Sequence, residues 1–176
     1  MSGPLLVVVG PPGSGKTTVG TAVAAALGVP FRDTDADVEA QTGTTIADLF
    51  VQQGEPYFRA LEERAIARAL AEHDGVLALG GGAVTSPATR ELLVAHGRAG
   101  RTVVWLDVDV ASAAKRVGLS RDRPLLAVNP RAMLRTMLEA RAPLYAEVST
   151  VSVSTAARPV EDVVADVLTA VGSVTS

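Results

Sequence analysis

Apolar positions along this chain change their period repeatedly. Residues 5–9 form a continuous run rich in β-branched side chains and stopped by Gly10, the pattern of a strand buried on both faces. An Ala-rich segment over 16–27 follows, with Gly28 placed to end a helix. Residues 31–33 form a weaker second strand. Thr45 with Asp48 three positions later predicts a helix start, and the segment 56–72 puts apolar residues at 58, 61, 65, 66 and 70 on one helical face. Residues 76–79 are a short apolar run halted by Gly80, Gly81 and Gly82, and Ser86-Pro87 predicts an N-cap with proline in the first helical turn. Farther on, the pattern predicts a strand at 102–106, a helix at 111–117, a loop at 118–124, a helix at 132–142, a strand at 151–153 and a closing helix at 160–171. Residues 96–101 read as a surface loop. Strands alternating with helices predict an α/β domain with a parallel sheet and crossover helices. No repeat or low-complexity linker divides the 176 residues, so one domain spanning 1–176 is expected.

Composition narrows the chemistry. Hydrophobic residues make up 48% and charged residues 20%, with a formal net charge of −3, which excludes a disordered chain and gives no basic footprint for nucleic acid. With no Cys there is no disulfide, thiolate or Cys–zinc chemistry. The two His residues are too far apart for an H-x-x-x-H metal motif. The first ten residues lack a basic region and a long apolar run, so no signal peptide is expected. No apolar stretch reaches the ~18 residues of a membrane span, and a cytoplasmic protein is expected. Only two of the sixteen basic residues are Lys, which makes a Lys inside a motif easy to notice.

Lys16 is such a case. Gly10-Pro11-Pro12-Gly13-Ser14-Gly15-Lys16-Thr17 matches G-x-x-x-x-G-K-[ST], between a predicted strand and a predicted helix. Glycines let backbone N–H groups turn toward phosphate oxygens, and the helix N-terminus adds partial positive charge. In this reading Gly13, Ser14, Gly15, Lys16, Thr17 and Thr18 form the nucleotide cradle, with Lys16 on the β- and γ-phosphates and the Thr17 hydroxyl on Mg2+. A switch GTPase would need an Asn-Lys-x-Asp segment, yet the only Asn is Asn129, followed by Pro130. The short chain leaves room for a nucleotide core, a small acceptor site and a lid. Asp33 and Asp35 stand where the second strand ends, and strand alternation would point both carboxylates into the crevice above the sheet. A solvated turn would look the same.

Asp33-Thr34-Asp35, Phe58-Arg59-x-x-Glu62, the run from Val76 through Gly80-Gly81-Gly82 to Val84, Arg123-Pro124-Leu125-Leu126 and Arg141-x-Pro143-Leu144-Tyr145 occur in that order after the P-loop. In this the chain resembles the shikimate kinase family from residue 5 to about residue 168. The resemblance implies a P-loop kinase fold, with a central parallel sheet of about five strands flanked by helices and a mobile lid at about 118–126. It implies transfer of the γ-phosphoryl group of ATP to the 3-hydroxyl of shikimate, with Mg2+, in the route to chorismate. A monomer is the default expectation, and composition predicts no nucleic-acid or membrane partner. The substrate-binding segment would span about 33–62. Asp35 would be the general base, with Lys16 and Arg123 as its catalytic companions, and Asp33 would hold Mg2+ through water. Arg59 and Arg141 would grip the shikimate carboxylate, where a guanidinium fork suits a carboxylate better than an ammonium. Glu62, at i+3 from Arg59, would orient it. Gly80, Gly81 and Gly82 would present backbone N–H groups to the substrate. Arg123 would close over ATP from the lid, Arg116 would flank the adenine, and Arg158 would lie nearby. The segment 154–159 departs from the family pattern, with Ser at a usual Asp and Pro159 one residue early. A gluconate kinase and a catalytically inert nucleotide-binding module are the rival readings.

Overall fold

A computed structural model describes residues 2–117 and 130–174. Its elements run β1 (Leu6–Val9), α1 (Lys16–Leu27), β2 (Phe31–Asp33), α2 (Thr34–Thr42), α3 (Ile46–Gln53), α4 (Glu55–Glu72), β3 (Val76–Ala78), a 3-10 turn at Ala83–Thr85, α5 (Pro87–Arg98), β4 (Thr102–Asp107), α6 (Val110–Val117), α7 (Pro130–Val148), β5 (Val151–Ser154) and α8 (Val160–Val174). The strands pair in the order β2-β3-β1-β4-β5, every pair parallel. The unbroken apolar character of β1 has a direct cause. Leu6 and Val8 face one core layer, with α1 and α8, while Val7 and Val9 face the other, with α4, α5 and α7. Both layers exclude water, so no position in the strand tolerates a polar residue.

After β1 the chain builds β2 and β3 on one side, then crosses to β4 and β5 on the other. The crevice opens at the carboxyl end of β1, where parallel α/β sheets bind ligands. The caps read from the sequence are in place. The Thr45 hydroxyl accepts from the Asp48 N–H at 3.1 Å, and the Ser86 hydroxyl accepts from the Thr89 N–H at 3.2 Å ahead of Pro87.

Three expectations change. Residues 34–42, given no element by the apolar pattern, are helical. Helix α2 buries only Thr34 and Val38, so it carries too few apolar residues to show a stripe. The supposed loop at 96–101 is helical up to Arg98, because His96 is drawn onto the core edge by its ring nitrogen's bond to the Pro4 carbonyl at 2.9 Å. Helix α7 does not stop at Ala142 but continues through Pro143 to Val148. Proline removes one helical hydrogen bond, and burial of Tyr145 and Val148 in the second core layer outweighs that loss.

Candidate active site

The turn after β1 wraps toward α1 with Gly13 at φ 80° and Gly15 at φ 88°, the left-handed region open to glycine. Gly15 caps α1 with no side-chain acceptor, so the first N–H groups of the helix are left for an anion. The Lys16 ammonium lies over this turn, donating to the Gly10 carbonyl at 2.8 Å and the Pro11 carbonyl at 2.9 Å. Lys16 is thus held at the loop that would carry phosphate.

Across the crevice, Asp33 ends β2 in extended conformation and caps α2, accepting from the Asp35 N–H at 2.9 Å. Its other carboxylate oxygen accepts from the Thr17 hydroxyl at 3.3 Å. The strand-alternation argument therefore fails for Asp35, which sits in the first turn of α2. Both carboxylates nevertheless reach one cleft of about 240 Å3, lined also by Gly13, Gly15, Lys16, Thr17, Thr18 and Gly81. Thr17 and Asp33 supply hard oxygen donors beside the phosphate turn, the chemistry that suits Mg2+ completed by water and phosphate oxygens.

Behind the cleft, helix α4 presents Arg59 and Glu62 on one face. The guanidinium donates to the Glu62 carboxylate at 2.8 Å and to that of Glu55 at 3.3 Å, and stands 5.3 Å from the Phe58 ring centroid. Glu62 is only 3% exposed. Burial pushes its carboxyl above the usual range, against the pull of Arg59 and of Arg141. Its second oxygen has no hydrogen-bond partner among the described residues. Arg141, on α7, borders a second hollow of about 590 Å3 with Thr85, Met137 and Leu144.

The triple glycine has a reason the sequence did not reveal. A Cβ on Gly80 would stand 2.6 Å from an Asp35 carboxylate oxygen and 2.8 Å from the unpartnered Glu62 oxygen. On Gly82 it would strike the Arg59 guanidinium, and on Gly81 it would come within 2.7 Å of the Pro12 ring. The glycines make room for the site's own side chains, beyond any approach of substrate to the backbone.

Arg116 and Arg158 lie on the far side of the phosphate turn. Arg116 donates to the Gly13 carbonyl at 2.8 Å and the Thr155 carbonyl at 3.2 Å, tying the loop after β5 to the phosphate turn. Arg158 donates to the Ser154 carbonyl at 3.0 Å and pairs with Asp166 of α8 at 2.8 Å. The segment 118–126 expected to form a lid, with Arg121 and Arg123, lies outside the described residues. Tyr145, quoted in the sequence motif without a role, donates its hydroxyl to the Gly81 carbonyl at 2.5 Å. Its partner is 64 residues away, beyond the reach of any local pattern.

Comparison with known proteins agrees with this geometry. The shikimate kinase family profile matches residues 12–172. A shikimate kinase of Frankia casuarinae is 57% identical over 90% of this chain and 68% of its own length. That of Salinispora arenicola is 55% identical over 93% of this chain and 95% of its own. The solved structure of a shikimate kinase from Acinetobacter baumannii in complex with shikimate superposes with a TM-score of 0.90, at 37% identity over 97% of this chain and 93% of that one. A gluconokinase from Sinorhizobium meliloti is more distant, with a TM-score of 0.59 at 27% identity over 96% of this chain and 91% of that one. A phosphate turn facing two carboxylates across one cleft, with Arg59 paired to the buried Glu62 behind three glycines, is thus the site of a chain that belongs to the shikimate kinase family.

Proposed function

We propose that this chain transfers the γ-phosphoryl group of ATP to the 3-hydroxyl of shikimate, giving shikimate 3-phosphate and ADP. The observation that carries the reading is the cleft in which Lys16 and Thr17 face Asp33 and Asp35. The N–H groups at the start of α1 cradle the phosphates, and Lys16 leaves the Gly10 and Pro11 carbonyls to neutralise charge on the β- and γ-phosphates. Asp35 accepts the hydroxyl proton as the acceptor oxygen attacks phosphorus and the bond to the ADP oxygen breaks. Arg59, fixed by Glu62, and Arg141 hold the substrate carboxylate. Arg116 and Arg158 support the loop that faces the nucleotide base, and Arg123 completes the site from 118–126. Thr17 and Asp33 would hold Mg2+, with Asp33 acting through water, and the ion would supply positive charge to offset that of the phosphates. Little covalent chemistry falls to the protein in such a transfer, so placement and electrostatics carry the rate.

The protein acts as a cytoplasmic monomer on two small molecules, without nucleic-acid or membrane partners. No helix among the described residues is long and apolar enough to cross a membrane. ADP release measured with shikimate, with gluconate and with no acceptor tests the reading. Turnover with shikimate alone is expected. Preference for gluconate would make it a sugar-acid kinase, and binding of ATP without turnover would make it a regulatory module.

A further inference from the structure

The Tyr145 ring is 1% exposed and stacks on Trp105, with centroids 5.7 Å apart and planes at 26°. A tyrosine buried this deeply needs a partner for its hydroxyl. The partner lies in the active-site wall, at the Gly81 carbonyl. Gly81 is the middle residue of the triple glycine and lines the cleft, and a Cβ on it would come within 2.7 Å of the Pro12 ring of the phosphate turn. A trans peptide sends its C=O and the next N–H in opposite directions. The bond from Tyr145 therefore turns the Gly82 N–H away from α7. Among the described residues no backbone carbonyl accepts from the N–H groups of Gly81 and Gly82.

The same hydroxyl faces charged groups from two helices. Arg141 stands one turn earlier on α7, and its charge, with those of Arg59 and Glu62 of α4, acts on the hydroxyl. Burial pushes the Tyr145 hydroxyl up to about 12, so it stays protonated and donating. A phenylalanine would fill the same volume and stack equally well on Trp105, so packing alone does not account for the oxygen.

We propose that Tyr145 is a positioning residue for the acceptor: its hydroxyl fixes the Gly81 peptide and, from the same helix, sets the place of Arg141 relative to it. Resting on the shikimate reading above, this makes one hydroxyl the reference for two parts of the acceptor site, the backbone donors of the glycine turn and the guanidinium on α7. Glycine peptides rotate more freely than others, and anchoring the carbonyl of the middle one removes that freedom where the acceptor must be held.

The test is steady-state kinetics of Tyr145→Phe, which keeps the ring and removes only the donor. The KM for shikimate is expected to rise about fivefold to tenfold, with the KM for ATP within about twofold of the wild type. Trp105→Phe is the counterpart that loosens the stack but leaves the hydroxyl, and it should lower the thermal midpoint while leaving the shikimate KM unaltered. A wild-type shikimate KM in Tyr145→Phe overturns the inference, as does a parallel rise of both KM values in both variants, which would mean a packing role only. Wild-type protein in the same assay separates the two readings. Its failure to phosphorylate shikimate overturns the substrate assignment and this inference with it, whereas normal wild-type turnover beside an unaltered Tyr145→Phe overturns this inference alone.

Discussion

The Asp33 carboxylate binds at both ends: one oxygen accepts from the Asp35 backbone N–H and the other from the Thr17 hydroxyl. A single side chain thereby sets the start of α2, the placement of the proposed base and the distance to the phosphate turn. Asparagine caps a helix about as well as aspartate, so Asp33→Asn should keep α2 folded while weakening the hold on the metal. The Mg2+ concentration for half-maximal rate should rise about tenfold, with most of the rate recovered at saturation. Asp35→Asn should instead lower kcat by about 10²–10⁴ with no rescue by Mg2+. A magnesium titration of both variants checks the pair, and rescue of Asp35→Asn alone would mean the roles are exchanged.

Arg59→Lys and Arg141→Lys should act on the acceptor, since an ammonium cannot reproduce two parallel hydrogen bonds to a carboxylate. The shikimate KM should rise about tenfold or more, as expected for loss of one charged hydrogen bond. Weakened ATP binding with unchanged shikimate binding would refute the carboxylate clamp.

Gly80→Ala places a methyl group 2.6 Å from an Asp35 oxygen and 2.8 Å from a Glu62 oxygen, so one or both carboxylates must shift. Overpacking of this kind costs about 1–3 kcal/mol. Because the displaced atoms include the proposed base, kcat/KM for shikimate should fall by about 10² or more while ATP still binds. Near-normal turnover would show that the crowding is relieved without moving Asp35.

Glu62 gives a pH signature to stability. Its carboxyl titrates above the usual 4.5 because burial outweighs the attraction of Arg59 and Arg141, with Glu55 pushing the same way as burial. As pH rises past 4.5, the unfolded chain releases a proton that the folded chain retains, so this contribution to stability is lost through the folded value. Relative to the wild type, Glu62→Gln should therefore gain stability with rising pH, read from urea midpoints between about pH 4 and pH 8. A constant difference across that range would mean that Glu62 ionises in the folded protein as freely as in the unfolded one.

The parts of the site legible in the sequence were those governed by neighbours in the chain. The phosphate turn announced itself because Gly15-Lys16-Thr17 must follow a strand and open a helix, and the Thr45 and Ser86 caps are local for the same reason. Asp33 and Asp35 were found together for a wrong reason, since a capped helix places them where strand alternation was invoked. Helix α2 was missed because only Val38 and Thr34 are buried, and the continuation of α7 because Pro143 is a local stop overruled by the distant packing of Tyr145. The spatial reason for Gly80 and Gly82 depends on Asp35, Glu62 and Arg59, residues contributed by other elements.

The pairing of β1 with β3 sets Val8 opposite Ala78. The phosphate turn and the triple glycine leave from these adjacent strands, in the same direction, a few residues farther on. The sheet is therefore a ruler between donor and acceptor. A slip of one residue would move one turn past the other by about 3.3 Å, as large as the ~3–3.5 Å separation of reacting atoms poised for attack. Side chains deep in the sheet, such as Val7 and Leu77, touch neither substrate, yet by fixing that register they hold the span that the phosphoryl group must cross.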